Sequence, residues 1–575
     1  MKRIEKYEIE FLYLFFTIFF LFIYKNLDLF LIFTLAILFF IVNRFNINLK
    51  IQSALYFVLA TFVLNFQSFK APLIYSHAFR QTQNAISSRY MADNNISVLN
   101  PLPHIGLSTN APFEFPFLQI LSSILQKFGV SEIFALRPLS WIIFIIFGLT
   151  VYFYVLSKTQ NDKFGNYLLI VFTFHPLFYQ YSNTFMIEFI PHIFGFAALK
   201  YFNDRNKKYS AIFLSLSLLS KITTGLVYFF LVFLVDYSKN SNKRLNFFLK
   251  RDQIFFYLTT VVPILIWLVV EEIVKNSSKF TIWLKGSTMR NWNFGTIDQY
   301  KDIDLYIIIS KRVLENLGLL YPNYLIGLTI FLVLIYIERK LFVLFLVPFI
   351  FLNLYLVHDY YLLGIFPLVV YFIFSKIFDS FENYKIYLVL SFLILSNFNY
   401  LINTRFDQYQ NLKLKQTEVS FENFDTGLIE ILNKNEFQDL NNVYLKSTYY
   451  NWNPSVFFYS NKYGLMITDK MFNNEVNLEI EDFKNNQIDI FVFQKSDFNQ
   501  FHFDLYRAHM VDRGFKFLKI EKFQFDSNLP ELIGENLEIF IISPNEKEVG
   551  NFLIFDIDKT QFESKKTDLL NFINN

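Results

Sequence analysis

Residues 210–235 read SAIFLSLSLLSKITTGLVYFFLVFLV, two apolar runs on either side of a polar middle, Ser220-Lys221-Ile222-Thr223-Thr224-Gly225. Basic residues flank them: Arg205, Lys207 and Lys208 before, and Lys239, Lys243, Arg244, Lys250 and Arg251 after. Short loops rich in Lys and Arg stay on the cytoplasmic side of a membrane. A single crossing at 210–235 puts one of these two loops outside. At about 1.5 Å per residue the stretch serves one tilted span or two half-length helices that turn back. A single span is most apolar at its centre, whereas this one carries Lys221 and Gly225 there. The pattern therefore predicts a re-entrant hairpin with Lys221 near its outer tip.

Outward from that segment, the chain is grouped as membrane spans. It has 575 residues, of which 54% are hydrophobic and 18% charged, and its mean hydropathy is +0.32. A span needs about 20 apolar residues. Candidates lie near 8–24, 28–43, 51–67, 131–156, 166–181, 184–201, 254–274, 324–337, 340–357, 360–376 and 384–402. With no cysteine, a disulfide framework is excluded. A net charge of +3 gives no basic field for nucleic acid. No small-residue cleavage site follows the first candidate, so it reads as a retained helix.

Lys2, Arg3 and Lys6 place the N-terminus in the cytoplasm, and the later basic loops fall inside with the hairpin in place. The expected protein is then a polytopic α-helical membrane protein of the plasma membrane, about eleven full spans plus the hairpin. Residues 1–402 form its transmembrane domain, with outer loops 68–130 and 275–323. Residues 403–575 form a small extracytoplasmic α/β domain. Its strand signals are the apolar stretches Val443-Tyr444-Leu445, 488–493 and 537–542, separated by helical patterns such as 427–434.

The polar, reaction-competent residues collect on the outer side. The first outer loop carries Ser76-His77-Ala78-Phe79-Arg80-Gln81-Thr82-Gln83-Asn84-Ala85 and then Pro112-Phe113-Glu114-Phe115-Pro116. Residues 116–127 have Gln119, Ser122, Ser123, Gln126 and Lys127 on one stripe, an amphipathic helix for the interface. Glu114 just precedes that helix, whose dipole favours a carboxylate there. Taken singly, each residue has an ordinary role. Glu114 reads as a helix-start acid, Arg80 and Lys221 as snorkelling cations, His77 as a loop histidine, and Tyr360 and Tyr361 as interface aromatics.

As a set, these motifs resemble bacterial GT-C glycosyltransferases that use polyprenyl-phosphate sugars, relatives of protein O-mannosyltransferases and the lipid A aminoarabinose transferase. HAFRQTQNA and PFEFP, followed by Gly129 and Arg137, look like the family's first outer loop. Phe174-His175-Pro176 with Phe185-Met186-Ile187-Glu188, Leu219-Ser220-Lys221-Ile222-Thr223, and His358-Asp359-Tyr360-Tyr361-Leu362 are similar to three later motifs. The resemblance covers roughly residues 60–400. One departure stands out: many relatives have an Asp, taken as catalytic, where this chain has Gln83, an amide that cannot be a base. Glu114 then takes that role or the chemistry is lost, with Asp93 as a fallback that reads more simply as a turn residue.

The resemblance implies an inverting transfer from a polyprenyl-phosphate sugar to a glycan, lipid or protein acceptor in the envelope. Arg80, Lys221 and His358 are the expected cations for the donor phosphate. A lysine inside the membrane costs about 2.5–3.5 kcal/mol on insertion scales, which makes Lys221 a functional candidate. Glu114 is the expected general base, a role worth about 10²–10⁴-fold. Glu188 is placed with Glu114 among the catalytic residues, expected to orient the sugar or the other loop, with a helix cap or a buried pair partner as the equally ordinary role. His77, Gln81, Gln83, Tyr360 and Tyr361 are expected at the substrate, and Trp283, Trp292 and Asn293 on the acceptor side. No metal site or cofactor is expected. The competing reading is a transporter or flippase for lipid-linked sugars, against which stands the lack of a second copy of the Lys221 segment. A polysaccharide ligase or polymerase is a third, which normally shows a large arginine-bearing outer loop.

Overall fold

The structure is a computed structural model that describes residues 2–23, 37, 48–70, 73, 77–99, 111–239, 250–277, 281, 284–320, 323–380 and 385–402. In the C-terminal part it describes 429, 432–433, 438, 441–446, 454–467, 488, 490–494, 518–519 and 539–544. The expected span at 28–43 (residue 37 apart), the basic loop 240–249, Trp283 and most of the helical pattern at 427–434 lie outside the described residues. The chain divides into two compact units. The first comprises Met1–Pro72, Val130–Val270 and Met289–Thr417, and the second Leu73–Gly129, Glu271–Thr288 and Glu418–Asn575.

The first unit is helical. Its elements are α1 (Lys2–Ile23) and α2 (Leu49–Asn65), whereas α3 (Ala78–Asp93) and α4 (Phe117–Lys127) belong to the second unit. It continues with α5 (Arg137–Thr159), α6 (Asp162–Phe174), α7 (Pro176–Tyr181), α8 (Ile190–Asn203), α9 (Lys207–Ser220) and α10 (Ile222–Lys239). Then come α11 (Arg251–Asn276, whose residues from Glu271 on belong to the second unit), α12 (Ile303–Asn316), α13 (Tyr324–Ile337), α14 (Lys340–Ile350), α15 (Leu352–Val357), α16 (Phe366–Ser380) and α17 (Lys385–Ile402). Among the described residues two helices, Glu132–Thr159 and Arg251–Asn276, are long and apolar enough to cross a membrane. Seven further apolar helices are shorter.

Several expected spans are interrupted. The 166–181 stretch breaks between α6 and α7 at His175, held extended (φ −78°, ψ 131°) by the proline that follows it. The 340–357 stretch breaks at Phe351, three residues after Pro348. Residues 359–364 form a 3-10 turn ahead of α16. Packing is aromatic: the Phe147 ring lies within 5.0–6.3 Å of the rings of Phe172, Phe178 and Phe189. Truncating such a buried ring typically costs about 3–5 kcal/mol.

The 210–235 segment is an antiparallel helical hairpin. Lys221 is extended (φ −160°, ψ 110°) between α9 and α10. The far ends of the two arms meet, with Lys207 Nζ 3.5 Å from Asp236 Oδ1. Gly225 lets the arms close, because a Cβ there would stand 2.5 Å from Leu218 Cα. Small hydroxyl residues bring α9 against α8: Ser217 donates to the Pro191 carbonyl and Ser210 to that of Ala198. The arms have 14 and 18 residues, so at about 1.5 Å per residue they are roughly 21 and 27 Å long.

The second unit joins the first-loop segment to the C-terminal one. α3 (Ala78–Asp93) is polar yet buried, with Gln81, Thr82, Gln83, Asn84, Ser87, Ser88 and Arg89 all inside. α4 (Phe117–Lys127) turns its polar stripe inward, Gln119 donating to Asn84 Oδ1 at 2.9 Å, while Leu121 and Ile124 are exposed. This inside-out arrangement suits a helix whose outer face meets lipid. A short helix α18 (Ser455–Tyr459) also packs on α3. Arg89 donates to the Phe458 carbonyl at 3.0 Å and stands over its ring.

The sheet has the order β2-β1-β3-β5-β4. Strands β1 (Asn442–Lys446), β3 (Ile490–Gln494) and β5 (Ile539–Pro544) fall near the three apolar stretches read from the sequence. β2 (Tyr463–Ile467) and the two-residue β4 (Leu518–Lys519) are not among them. β1 runs parallel to both β2 and β3, with Val443 opposite Gly464 and Ile490, and β5 is antiparallel to β3 and β4.

Candidate functional site

In the second unit the chemistry gathers at the N-terminal end of α3. His77 sits at its cap in the left-handed region (φ 64°, ψ 51°), uncommon for a residue with a Cβ. There its carbonyl accepts from the N–H groups of Arg80 and Gln81. One turn in, the Arg80 guanidinium forks. Nη2 reaches Glu114 Oε2 at 2.5 Å, and Nη1 donates to Gln83 Oε1. Both ends of the ion pair keep about a quarter or less of their surface exposed, 20% for Arg80 and 26% for Glu114. Gln83 is buried, and its Nε2 has no hydrogen-bond partner among the described residues.

The end of α11 adds groups that the sequence reading left out. Lys275 pairs with Glu271 and stands 3.7 Å from the centroid of Phe113, the residue before Glu114. Glu272 accepts from the Gly286 N–H at 2.9 Å and from Ser287. Glu114 lies within electrostatic reach of Lys275 and Glu271. Two cations and three carboxylates thus share this region. Helical spacing carried the signal, since Glu271 and Lys275 are an i,i+4 pair, but both sit at the end of what reads as a span. Among the described residues no three His, Asp or Glu side chains come together as a metal site.

A second centre lies in the first unit at the tip of the hairpin. Lys221 Nζ donates to Glu188 Oε2 at 2.5 Å, and both side chains are 3% exposed. Tyr361 and Tyr360 cover the ammonium, their ring centroids 4.2 and 4.8 Å away, a cation–π arrangement that spreads its charge. The tyrosines stack on each other at 4.7 Å, and His358 stacks on Tyr360 at 5.1 Å. Trp292 meets His358 edge-on. Asp359 accepts from the Tyr181 hydroxyl at 2.9 Å, which fixes this corner to α7. Behind it, His192 bonds the Leu363 carbonyl through Nε2 and the Tyr228 hydroxyl through Nδ1.

The expected residues therefore fall into two groups. Arg80, Gln83 and Glu114 meet at one, with His77 and Gln81 in the same helix end. Lys221, Glu188, His358, Tyr360 and Tyr361 meet at the other. Arg80 is the partner of Glu114, not a bare cation. Lys221 is not at a solvated helix end but buried and paired. Glu188 is its pair partner. Asp93, the fallback acid, accepts from the Tyr463 hydroxyl at 2.7 Å.

The sequence matches no family model and no curated protein. Solved structures similar to this chain include ArnT from Cupriavidus metallidurans in the apo state, with 10% identity and a TM-score of 0.47, covering 85% of this chain and 97% of that one. The same protein bound to undecaprenyl phosphate matches with 10% identity and a TM-score of 0.47, covering 86% of this chain and 98% of that one.

Proposed function

We propose that the chain is an integral-membrane glycosyltransferase that moves a sugar from a polyprenyl-phosphate donor to an envelope acceptor on the outer face of the plasma membrane. The observation that carries this reading is the Arg80–Glu114 pair, a carboxylate and a guanidinium in contact and partly open. When a donor phosphate arrives, the Arg80 fork turns to it, and Glu114 is released as a proton acceptor.

The acceptor hydroxyl gives its proton to Glu114 as its oxygen bonds to the anomeric carbon. The bond from that carbon to the phosphate oxygen breaks, and the polyprenyl phosphate leaves with the electron pair. Arg80, with Lys275 nearby, stabilises the charge that develops on the leaving phosphate. One displacement of this kind inverts the anomeric centre. Gln83 holds the second arm of the guanidinium and so sets its aim. The acceptor is a glycan, a lipid or a protein.

The test is transfer by the purified full-length protein in lipid. A labelled polyprenyl-phosphate sugar is mixed with envelope extract, and the label is followed into product. Label moving to an acceptor supports the reading. Label crossing a vesicle bilayer while still on its carrier would overturn it in favour of transport.

A further inference from the structure

The first unit holds a groove of about 690 Å³. Phe230 of α10, the residues Leu346, Phe349 and Ile350 of α14, and the segment 290–300 ahead of α12 line it. Its size falls within the roughly 300–1,000 Å³ of a ligand pocket. The segment is folded on itself, so this wall is preformed. Gly295 (φ 93°) turns the chain, and Thr296 and Gln299 cap the short helix that follows in a reciprocal box. Gln299 donates to Asn353 Oδ1 at 3.0 Å, and Asn353 donates to the Trp292 carbonyl at 2.8 Å. The Tyr300 hydroxyl is shared between the Phe294 and Ile350 carbonyls, at 2.8 and 3.0 Å. A wall already ordered loses little freedom when a ligand arrives.

With the Tyr300 hydroxyl engaged, the lining is apolar except at Arg290. Arg290 is exposed, and its guanidinium has no hydrogen bond or ion pair among the described residues. The nearby acids are occupied: Asp298 lies 3.9 Å from Lys301, and Asp302 caps α12. One net positive charge therefore stands at the rim of an apolar groove. Phe294, Ile297, Phe349 and Ile350 are all exposed, Ile297 by 74%, and on apolar helices such side chains suit lipid better than water. A ligand that covers them needs a hydrocarbon chain, and one that meets Arg290 needs an anion. Guanidinium groups take phosphate oxygens two at a time. A phosphodiester carries one negative charge, which one guanidinium balances, whereas a phosphomonoester carries about 1.5–2 and exceeds it.

We propose that this groove is a lipid site that takes one acyl chain of an anionic glycerophospholipid of the bilayer, with the phosphodiester on Arg290. Basic pockets between membrane helices bind lipid head groups in this way. The site rests on the integral-membrane part of the proposed function and not on transfer, since none of the residues given a part in transfer lines it.

The test is native mass spectrometry of the purified, delipidated full-length protein. It is titrated with phosphatidylglycerol, phosphatidylethanolamine or polyprenyl phosphate, and the dissociation constant of the first lipid bound is read. Hydrogen bonds to a charged group are worth roughly tenfold or more in affinity. Arg290→Gln should weaken phosphatidylglycerol by at least that factor, and Arg290→Lys should recover part of the loss. Ile350→Trp fills the groove while leaving Arg290 in place, and should weaken binding as well. Both positions are exposed, and melting curves without lipid check folding; should Ile350→Trp not fold, the Arg290 variants carry the comparison. Equal affinity of wild type and Arg290→Gln, or of phosphatidylglycerol and phosphatidylethanolamine, overturns the proposal. So does Arg290-dependent binding of polyprenyl phosphate that is tighter than that of phosphatidylglycerol, which gives the groove to the donor. A chain recovered in solution without detergent would sink the membrane reading itself.

Discussion

Replacing Glu114 by Gln removes one negative charge and almost no volume, and the structure fixes what should follow. The amide that replaces the carboxylate still offers an oxygen to Arg80 Nη2, and Gln83 still accepts from Nη1, so the guanidinium keeps both contacts. The pair is partly open to solvent, and such pairs contribute about 0–1 kcal/mol; folding is barely affected. The loss falls on proton transfer. General-base help of about 10²–10⁴-fold corresponds to roughly 3–5 kcal/mol of barrier at about 1.36 kcal/mol per tenfold.

The proposed donor is an anion, and Glu114 belongs to a region that also holds Glu271 and Glu272. Removing its charge should therefore leave the donor KM unchanged or lower while kcat falls. The assay is labelled transfer at varied donor concentration, with a melting curve to show that the variant is folded. Because Gln83 and Glu114 flank the same guanidinium, Gln83→Glu/Glu114→Gln should recover part of the lost kcat. A Glu114→Gln enzyme with kcat within about threefold of wild type, against the 10²–10⁴-fold expected of a lost base, would refute the reasoning.

At the hairpin tip, Lys221→Met should destabilise the protein by about 3–5 kcal/mol, because it strands the buried Glu188 carboxylate. Lys221→Met/Glu188→Met should recover most of that in detergent unfolding, and simple addition of the single effects would show that the pair is not coupled. The chain has no cysteine, so Lys208→Cys and Ser241→Cys give background-free labels on either side of the hairpin. Both should react from the cytoplasmic face of sealed vesicles; reaction from opposite faces would refute a re-entrant hairpin.

Much of the local structure was legible because it depends on residues close in sequence. The hairpin follows from the polar break at Ser220–Gly225 between apolar arms, and Lys207 meeting Asp236 is its tertiary trace. Strands β1, β3 and β5 follow from β-branched and aromatic runs. The helix α3 was harder to place, because a polar segment in an outer loop ordinarily faces water. It is buried because Gln119 of α4 and the C-terminal α18 cover it. Lys275 escaped notice because it stands at the end of an apolar run, where lysines usually snorkel.

A helical chain rich in apolar segments, the break at Lys221 and the identities of the charged residues able to do chemistry could all be read along the chain. Those follow from composition and short-range periodicity. Pairing was decided only in three dimensions: that Arg80 meets Glu114, 34 residues on, and that Lys221 meets Glu188 beneath two tyrosines. An ion pair depends on distance through space and on the water excluded around it. Neither quantity is written in the order of residues along the chain.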